Sequence, residues 1–194
     1  MNIKPRLENS KQTLRKVLIV CEGEETEPNY FQAFRVASSI CKIEGTGHNT
    51  LSLVKEAVRL SKLENYRETW CVFDRDSFTE KSIKAAYVLA QKEGFKVAFS
   101  NECFELWYLL HFKYLDTQVN RAEYTRQLKK ILGAYEKNSV TMYDMLLDKQ
   151  SDAIKNAKKV NASHNNGIHP CECKPYTTVH ELVERLNRLA LKSI

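Results

Sequence analysis

Two apolar runs rich in β-branched residues each end in carboxylates: Val17-Leu18-Ile19-Val20-Cys21 before Glu22-Gly23, and Trp70-Cys71-Val72-Phe73 before Asp74-Arg75-Asp76. Runs this short and this apolar read as strands buried on both faces, the pattern of a parallel sheet covered by helices. Ligands of open α/β sheets bind just beyond the carboxyl ends of such strands. If the two strands are neighbours, Glu22, Asp74 and Asp76 converge on one spot. Carboxylates crowded together repel unless a cation lies among them, and hard oxygen donors suit Mg²⁺ or Mn²⁺. A divalent-metal site is therefore the sharpest expectation the chain offers.

Charge distribution sharpens it. The formal net charge is +6 over 194 residues, with basic residues crowded at Lys4, Arg6, Lys11, Arg15 and Lys16, along Arg121 to Lys130, and at Lys155 to Lys159. Acids concentrate from Glu22 to Glu27 and at Asp74 and Asp76. An acidic pocket in a basic chain suits metal-dependent phosphodiester chemistry, in which lysines and arginines hold a polyanionic backbone and carboxylates hold the metal. The competing reading of each basic run is a solvated helix face. No apolar run approaches the roughly 20 residues that span a bilayer, and the first 16 residues lack the apolar segment of a secretory signal, so a cytoplasmic location is expected. Of six cysteines, Cys21, Cys71 and Cys103 sit in apolar stretches and read as small buried thiols rather than a disulfide framework.

Along the chain, residues 1–15 show no periodicity and read as a flexible arm. After the strand at Val17–Cys21, Pro28 suits a first helical turn, and Tyr30, Phe31, Phe34, Ala37 and Cys41 recur at helical spacing. A short strand at Cys41–Glu44 is closed by Gly45-Thr46-Gly47. Asn49 or Thr50 then caps a helix with Leu51, Val54, Val58 and Ser61 inside. After the strand at Thr69–Phe73, Ser77-Phe78-Thr79-Glu80 has the capping-box pattern. It opens a helix whose Ile83, Ala86, Tyr87 and Ala90 face inward, and Phe95–Phe99 is a further strand. The order β-α-β-α-β-α-β favours a mostly parallel sheet flanked by helices. Right-handed crossovers place Glu22, His48, Asp74, Asp76 and Asn101 at one sheet edge. The stretch from Asn101 to Phe112 is apolar nearly all round, which predicts a buried helix and makes Glu105 conspicuous. Helical patterns follow at about 121–133 and 139–160. A loop rich in Asn, Gly and His spans 161–176, and a last helix has Thr178 and Glu181 as a capping box and Val179, Leu182, Val183, Leu186 and Leu189 as its buried stripe.

A Glu-Gly after the first strand and Asp-x-Asp after the third resemble the Toprim fold of primases, type II and type IA topoisomerases and OLD-family nucleases. More narrowly, Cys21-Glu22-Gly23-Glu24-Glu25-Thr26-Glu27-Pro28-Asn29-Tyr30-Phe31, Phe73-Asp74-Arg75-Asp76, Ser100-Asn101-Glu102-Cys103-Phe104-Glu105-Leu106-Trp107 and Pro175-Tyr176-Thr177-Thr178-Val179 through Leu186 resemble the RloB family of bacterial and archaeal defence proteins. The resemblance implies that the α/β core over 16–112 is Toprim-like; the helical patterns beyond it read as a helical extension packed on that core over 113–194 rather than an independent domain. It also implies a metal-dependent nuclease acting on RNA, possibly tRNA, or DNA, in abortive infection beside an AAA-type ATPase with an OLD/ABC-like head. Many Toprim proteins carry a second carboxylate four residues after the glutamate, where this chain has Thr26. Glu25 and Glu27 flank it, and Glu27 is the better candidate ligand.

Taken singly, Glu22 is expected to bind metal or to act as general base through a water. Asp74 and Asp76, two apart on an extended segment, point to one side and can share an ion, the alternative being a helix cap. Glu105 either completes a second metal position or is a buried acid paired with an arginine. Asn101 either orients a substrate phosphate or caps the buried helix, and Arg75 is expected on the opposite face in a structural ion pair. The 45–50 loop offers backbone N–H groups to a phosphate but lacks a nucleotide P-loop's ending. His48 lies at the right edge for a leaving group, or is polar surface. Of Lys155, Lys158 and Lys159, one is expected to approach the acidic pocket. His164, His169, Cys171 and Cys173 are zinc-ligand types, but Cys-x-Cys is not the usual knuckle spacing. Against the nuclease stands a noncatalytic adaptor that binds an ATPase, a nucleic acid or a nucleotide. A topoisomerase or primase is a weaker expectation still, because the chain leaves no room for their large extra domains.

Overall fold

The structure, a computed structural model, describes residues 16–76 and 78–191. The expected arm at 1–15, and Ser77 of the expected capping box, lie outside the described residues. Five strands form one sheet: β1 (Val17–Cys21), β2 (Cys41–Gly45), β3 (Glu68–Asp74), β4 (Lys96–Asn101) and β5 (Tyr176–Thr177), in the order β2-β1-β3-β4-β5. The first four run parallel, and β5 pairs antiparallel with β4. Helices α1 (Thr26–Gln32), α2 (Thr50–Ser61) and α3 (Glu80–Lys92) connect the parallel strands. The rest of the chain adds α4 (Glu105–Leu110), α5 (Arg121–Leu132), α6 (Met142–Leu146), α7 (Gln150–Ala162) and α8 (Val179–Ala190). The expected mostly parallel α/β architecture is thus the one found.

Side-chain alternation divides the core in two. Val17, Ile19, Cys21, Trp70, Val72 and Ala98 face α1, α4, α7 and α8, while Leu18, Val20, Cys71, Phe73 and Phe99 face α2 and α3. Every residue of α4 is buried, which explains why its sequence is apolar all round. All six cysteines are free and buried. Among the described residues no helix is long and apolar enough to cross a membrane.

Several local expectations are corrected. The first helix stops at Gln32, because Arg35 turns the chain with φ +54° and Ala37 is exposed. The buried face of α2 is Thr50, Leu53, Val54, Ala57 and Leu60 rather than Leu51, Val54, Val58 and Ser61, with Asn49 as its cap. Thr79 caps α3 by accepting the Ser82 N–H at 3.3 Å. The pattern at 139–160 is two helices, since the stripe of Met142 and Leu146 and that of Ala153, Ala157 and Val160 are separated by a 3₁₀ turn at Leu147–Lys149. β5 is too short to show in a loop composition. Thr178 is not half of a capping box. Its hydroxyl donates to the Val97 carbonyl at 3.1 Å and accepts the Phe99 N–H at 2.9 Å, stitching the start of α8 to β4.

Thr178→Val keeps the shape and removes both bonds, leaving the buried Phe99 amide without its partner. The expected loss is about 1–3 kcal/mol, read as a lower denaturant midpoint with an unchanged m-value; a change within a few tenths would show that the stitch carries no stability.

Candidate functional site

The turn after β1 is held by close backbone approach. The Glu22 N–H donates to the Val72 carbonyl at 2.9 Å, and the Thr46 N–H and hydroxyl both donate to the Cys21 carbonyl at 3.1 and 3.0 Å. A Cβ on Gly45 would stand 2.8 Å from the carbonyl oxygens of Gly23 and Glu24, so only glycine lets β2 approach here. A Cβ on Gly23 would strike the Glu27 carboxylate, and the absent side chain is the space into which Glu27 folds back from α1. Glu22, released from β1, accepts the Asp74 N–H on Oε2 at 3.1 Å. Asp74 ends β3, and its Oδ2 accepts the Phe104 N–H at 2.9 Å. Glu105, the first residue of α4, is 2% exposed and accepts the Tyr135 hydroxyl at 3.4 Å. Asp76 holds φ +41°, a left-handed conformation that costs energy for a residue with a side chain, and its N–H donates to the Glu102 carbonyl at 3.1 Å.

These acids surround a cavity of about 300 Å³ at the carboxyl edge of the sheet, lined among others by Glu22, Glu27, Asp74, Asp76, Glu105 and Arg121, with Lys137 on its rim. Burial pushes the Glu22 carboxyl up to about 7; the Asp74 N–H opposes this, and the neighbouring Glu27 and Asp76 charges add to it. Burial raises Glu27 as well, against the pull of Lys137. Asp74 is held well above the usual carboxylate range by burial and then by Glu27, Glu105 and Glu22, with Arg121 opposing. Arg121 reaches Asp74 at 3.6 Å and Asp76 at 3.4 Å. Although burial works against its charge, those acids hold it firmly protonated.

Two carboxylate oxygens in this cluster, Glu22 Oε1 and Glu27 Oε2, are buried without a hydrogen-bond partner among the described residues. Orphaned anionic oxygens around a cavity are a donor set of the kind hard divalent cations take. The acids ring the cavity and do not close on a point: among the described residues no three His, Cys, Asp or Glu side chains stand in the arrangement of a metal cage.

Of the residues singled out from the sequence, the fold brings Glu22, Glu27, Asp74, Asp76 and Glu105 to this cavity. Asn101 is fully buried, and its Nδ2 donates to the carbonyls of Cys171 at 3.2 Å and Cys173 at 2.6 Å, pinning the 171–173 turn to β4. His48 is exposed and does not line the cavity. Neither do Lys155, Lys158 and Lys159: Lys158 pairs with Glu184 at 2.6 Å, Lys159 lies 4.1 Å over the Tyr114 ring, and Lys155 is exposed on α7. The cations at the cavity are Arg121 and Lys137 instead. Arg75 does point away, donating to the Cys171 carbonyl at 3.3 Å and pairing with Glu80 at 3.5 Å. The His/Cys quartet does not assemble, since His164 bonds the Pro175 carbonyl while His169 contacts the Cys171 sulfur.

Sequence reading missed Arg121, Lys137 and Asn138. Arg121 was visible only as the first member of a basic run, and Lys137 and Asn138 carry no local signal. Asn138 locks its loop to α1, accepting the Thr26 hydroxyl at 2.7 Å while its carbonyl accepts the Asn29 amide at 3.2 Å.

A family model described as RloB-like protein matches residues 17–186. The chain belongs to the RloB-like protein family. The match begins at the first residue of β1 and ends within α8, so every residue lining the acidic cavity falls inside the part of the chain that defines an RloB-like protein. No curated protein and no solved structure gives a match.

The Glu22 shift has a measurable consequence. With a folded value near 7 against an ordinary 4.5, the folded state holds this proton more tightly than the unfolded chain, so ionising Glu22 destabilises the fold. The penalty is absent below about pH 4.5 and complete above about pH 7, amounting to at most about 3 kcal/mol before solvent screening reduces it. Measured in chelator against Glu22→Gln, which has no proton to lose, the wild type is expected to fall behind as pH rises from 5 to 8. Parallel stability curves for the two proteins would contradict the burial of this acid.

Proposed function

We propose that this RloB-like protein is a Toprim-like nuclease that hydrolyses phosphodiester bonds of RNA, tRNA among the candidates, or of DNA, with Mg²⁺ or Mn²⁺. The observation that carries the reading is the pair of orphaned carboxylate oxygens, Glu22 Oε1 and Glu27 Oε2, beside Asp74 at the carboxyl edge of a parallel sheet. The chain order supports it: a glutamate after the first strand, Asp-x-Asp after the third, and a cavity where ligands of open sheets bind. Glu22, Asp74 and Asp76 would hold the cation, with Glu27 and Glu105 beside them. When bound, it supplies a Lewis acid that lowers the pKa of an attacking water and stabilises the departing oxygen. The chain's own groups do the rest. Glu22 acts on the nucleophile either through the cation it holds or as a general base through a water. Arg121 and Lys137 supply the positive charge that draws a phosphodiester into an otherwise acidic cavity. The family resemblance adds the setting: an antiphage abortive-infection effector in the cytoplasm, restrained until an AAA-type ATPase partner senses infection.

A second reading is favoured by one observation. Arg121 already pairs with Asp74 and Asp76, as it would in a noncatalytic adaptor whose acidic cluster is neutralised from within. Cleavage separates the two. Purified protein with Mn²⁺ is expected to cut tRNA, single-stranded RNA or plasmid, and chelator is expected to stop it. Asp74→Asn, which keeps an acceptor for the Phe104 amide, should lose activity by about 100-fold or more with an unchanged circular dichroism spectrum. Mn²⁺ should raise the Tm of the wild type by several degrees and leave that of Asp74→Asn unmoved. Intact substrates in the presence of the partner ATPase and ATP, with no Mn²⁺ effect on Tm, would favour the adaptor.

A further inference from the structure

The sheet has two unlike edges. On one side β5 is only two residues long, and on the other β2 runs five residues with no strand beyond it among the described residues. The Val17 N–H bonds the Ile40 carbonyl at 2.8 Å and the Thr46 N–H bonds the Cys21 carbonyl at 3.1 Å. Backbone groups alternate sides along a strand, so Ile40, Lys42, Glu44 and Thr46 turn theirs toward β1, and Cys41, Ile43 and Gly45 turn theirs outward. The Cys41 N–H is taken by the Ala37 carbonyl at 3.0 Å. Among the described residues, what remains outward is the N–H and C=O of Ile43 and of Gly45 and the C=O of Cys41. About a two-fold axis at Ile43 the Ile43 groups pair with each other and each Cys41 C=O meets the other copy's Gly45 N–H, leaving the Gly45 C=O to solvent.

The side chains agree with the backbone. Lys42 and Glu44 lie on one face of the strand, 2.9 Å apart and about a third exposed. In an antiparallel pair centred on Ile43, Lys42 falls opposite Glu44 of the other copy and Glu44 opposite its Lys42, so each charge directly faces an opposite one and meets its like only across the longer diagonal. On the other face Ile43 borders a mixed groove of about 330 Å³ whose apolar wall is Phe31, Val36, Cys41 and Ile43 and whose polar wall includes Gln32 and Ser38, with Lys42 and Glu44 reaching its edge; a second Ile43 would meet the apolar wall. Charges on an edge strand commonly guard it against pairing; here their alternation repels a strand of different pattern and accepts its own.

We propose that β2 is a self-association edge through which two copies of this chain join their sheets, Ile43 against Ile43 and Lys42 against Glu44. The proposal is independent of the nuclease reading. The acidic cavity lies at the carboxyl ends of the strands, so antiparallel pairing sets the two cavities at opposite ends of the joined sheet, and neither copy completes the other's site.

Sedimentation of the full chain from micromolar to sub-millimolar concentration tests it. The wild type is expected to show a monomer–dimer equilibrium. Lys42→Glu and Glu44→Lys should each raise the dimer dissociation constant by roughly tenfold by facing like charges, and the double charge swap should restore it. Ile43→Pro removes an outward N–H that β1 does not use and should abolish the dimer; should that variant fail to fold, the charge pair still decides. A full chain that stays monomeric throughout overturns the proposal. So does a dimer whose constant is the same in both single variants.

Discussion

Asp74 ties four segments of this molecule together. It ends β3, offers its N–H to Glu22 after β1, receives the Phe104 N–H at the start of α4, and faces Arg121 at the start of α5. A carboxylate on a residue only 8% exposed is an expensive hub. It persists because each contact satisfies a group that would otherwise be orphaned, and because a guanidinium lies within 3.6 Å. Removing Arg121 leaves this buried acid without its counter-charge, the arrangement in which single substitutions cost most.

The surrounding acids multiply that cost. Glu27, Glu105 and Glu22 each raise Asp74, and no hydrophobic gain comes from placing them together. Protons and Arg121 are what the chain itself can supply to make the cluster tolerable. Both are substitutes a divalent cation would displace on the nuclease reading, since a doubly charged ion favours the ionised acids and frees the arginine for an anion. The adaptor reading needs the same cluster to be a permanent structural knot. A knot has little use for unpartnered oxygens on Glu22 and Glu27, because a purely structural network gains from satisfying every member. That asymmetry is the physical ground for preferring the catalytic reading.

The legible parts of the fold were those written in short-range pattern. Strands β1 and β3 announced themselves through continuous apolar runs, α3 through its inward stripe, α4 through apolarity on all sides; with them came the mostly parallel sheet and the gathering of Glu22, Asp74 and Asp76. Periodicity could not tell where α1 ends, because the stop is a single left-handed residue, Arg35, in a run of apolar spacing that continues past it. Nor could it separate α6 from α7, since a 3₁₀ turn rotates the stripe without interrupting it. The cations of the site were illegible for a different reason. Arg121 and Lys137 reach the cavity from helices and loops whose position depends on packing against α4, so no spacing relates them to the acids. Lys155, Lys158 and Lys159 looked equally suitable, and α7 carries them elsewhere.

The two sheet edges show the same division between local and global information. Thr177 and Thr178 look like an ordinary helix start, yet the fold uses both to close the β4 edge, with Thr178 bonding Val97 and Phe99 and the Thr177 backbone held by Asn161. That closure is done with polar side chains because β5 is too short to do it with a ladder. The β2 edge has no such helper among the described residues, and Gly45 at its end is already committed to the Glu22 turn. The glycine that keeps the edge strand narrow is therefore the one that sets the first catalytic candidate in place. A partner strand on β2 would therefore pair with the same Gly45 whose close approach to Gly23 and Glu24 shapes the turn that carries Glu22.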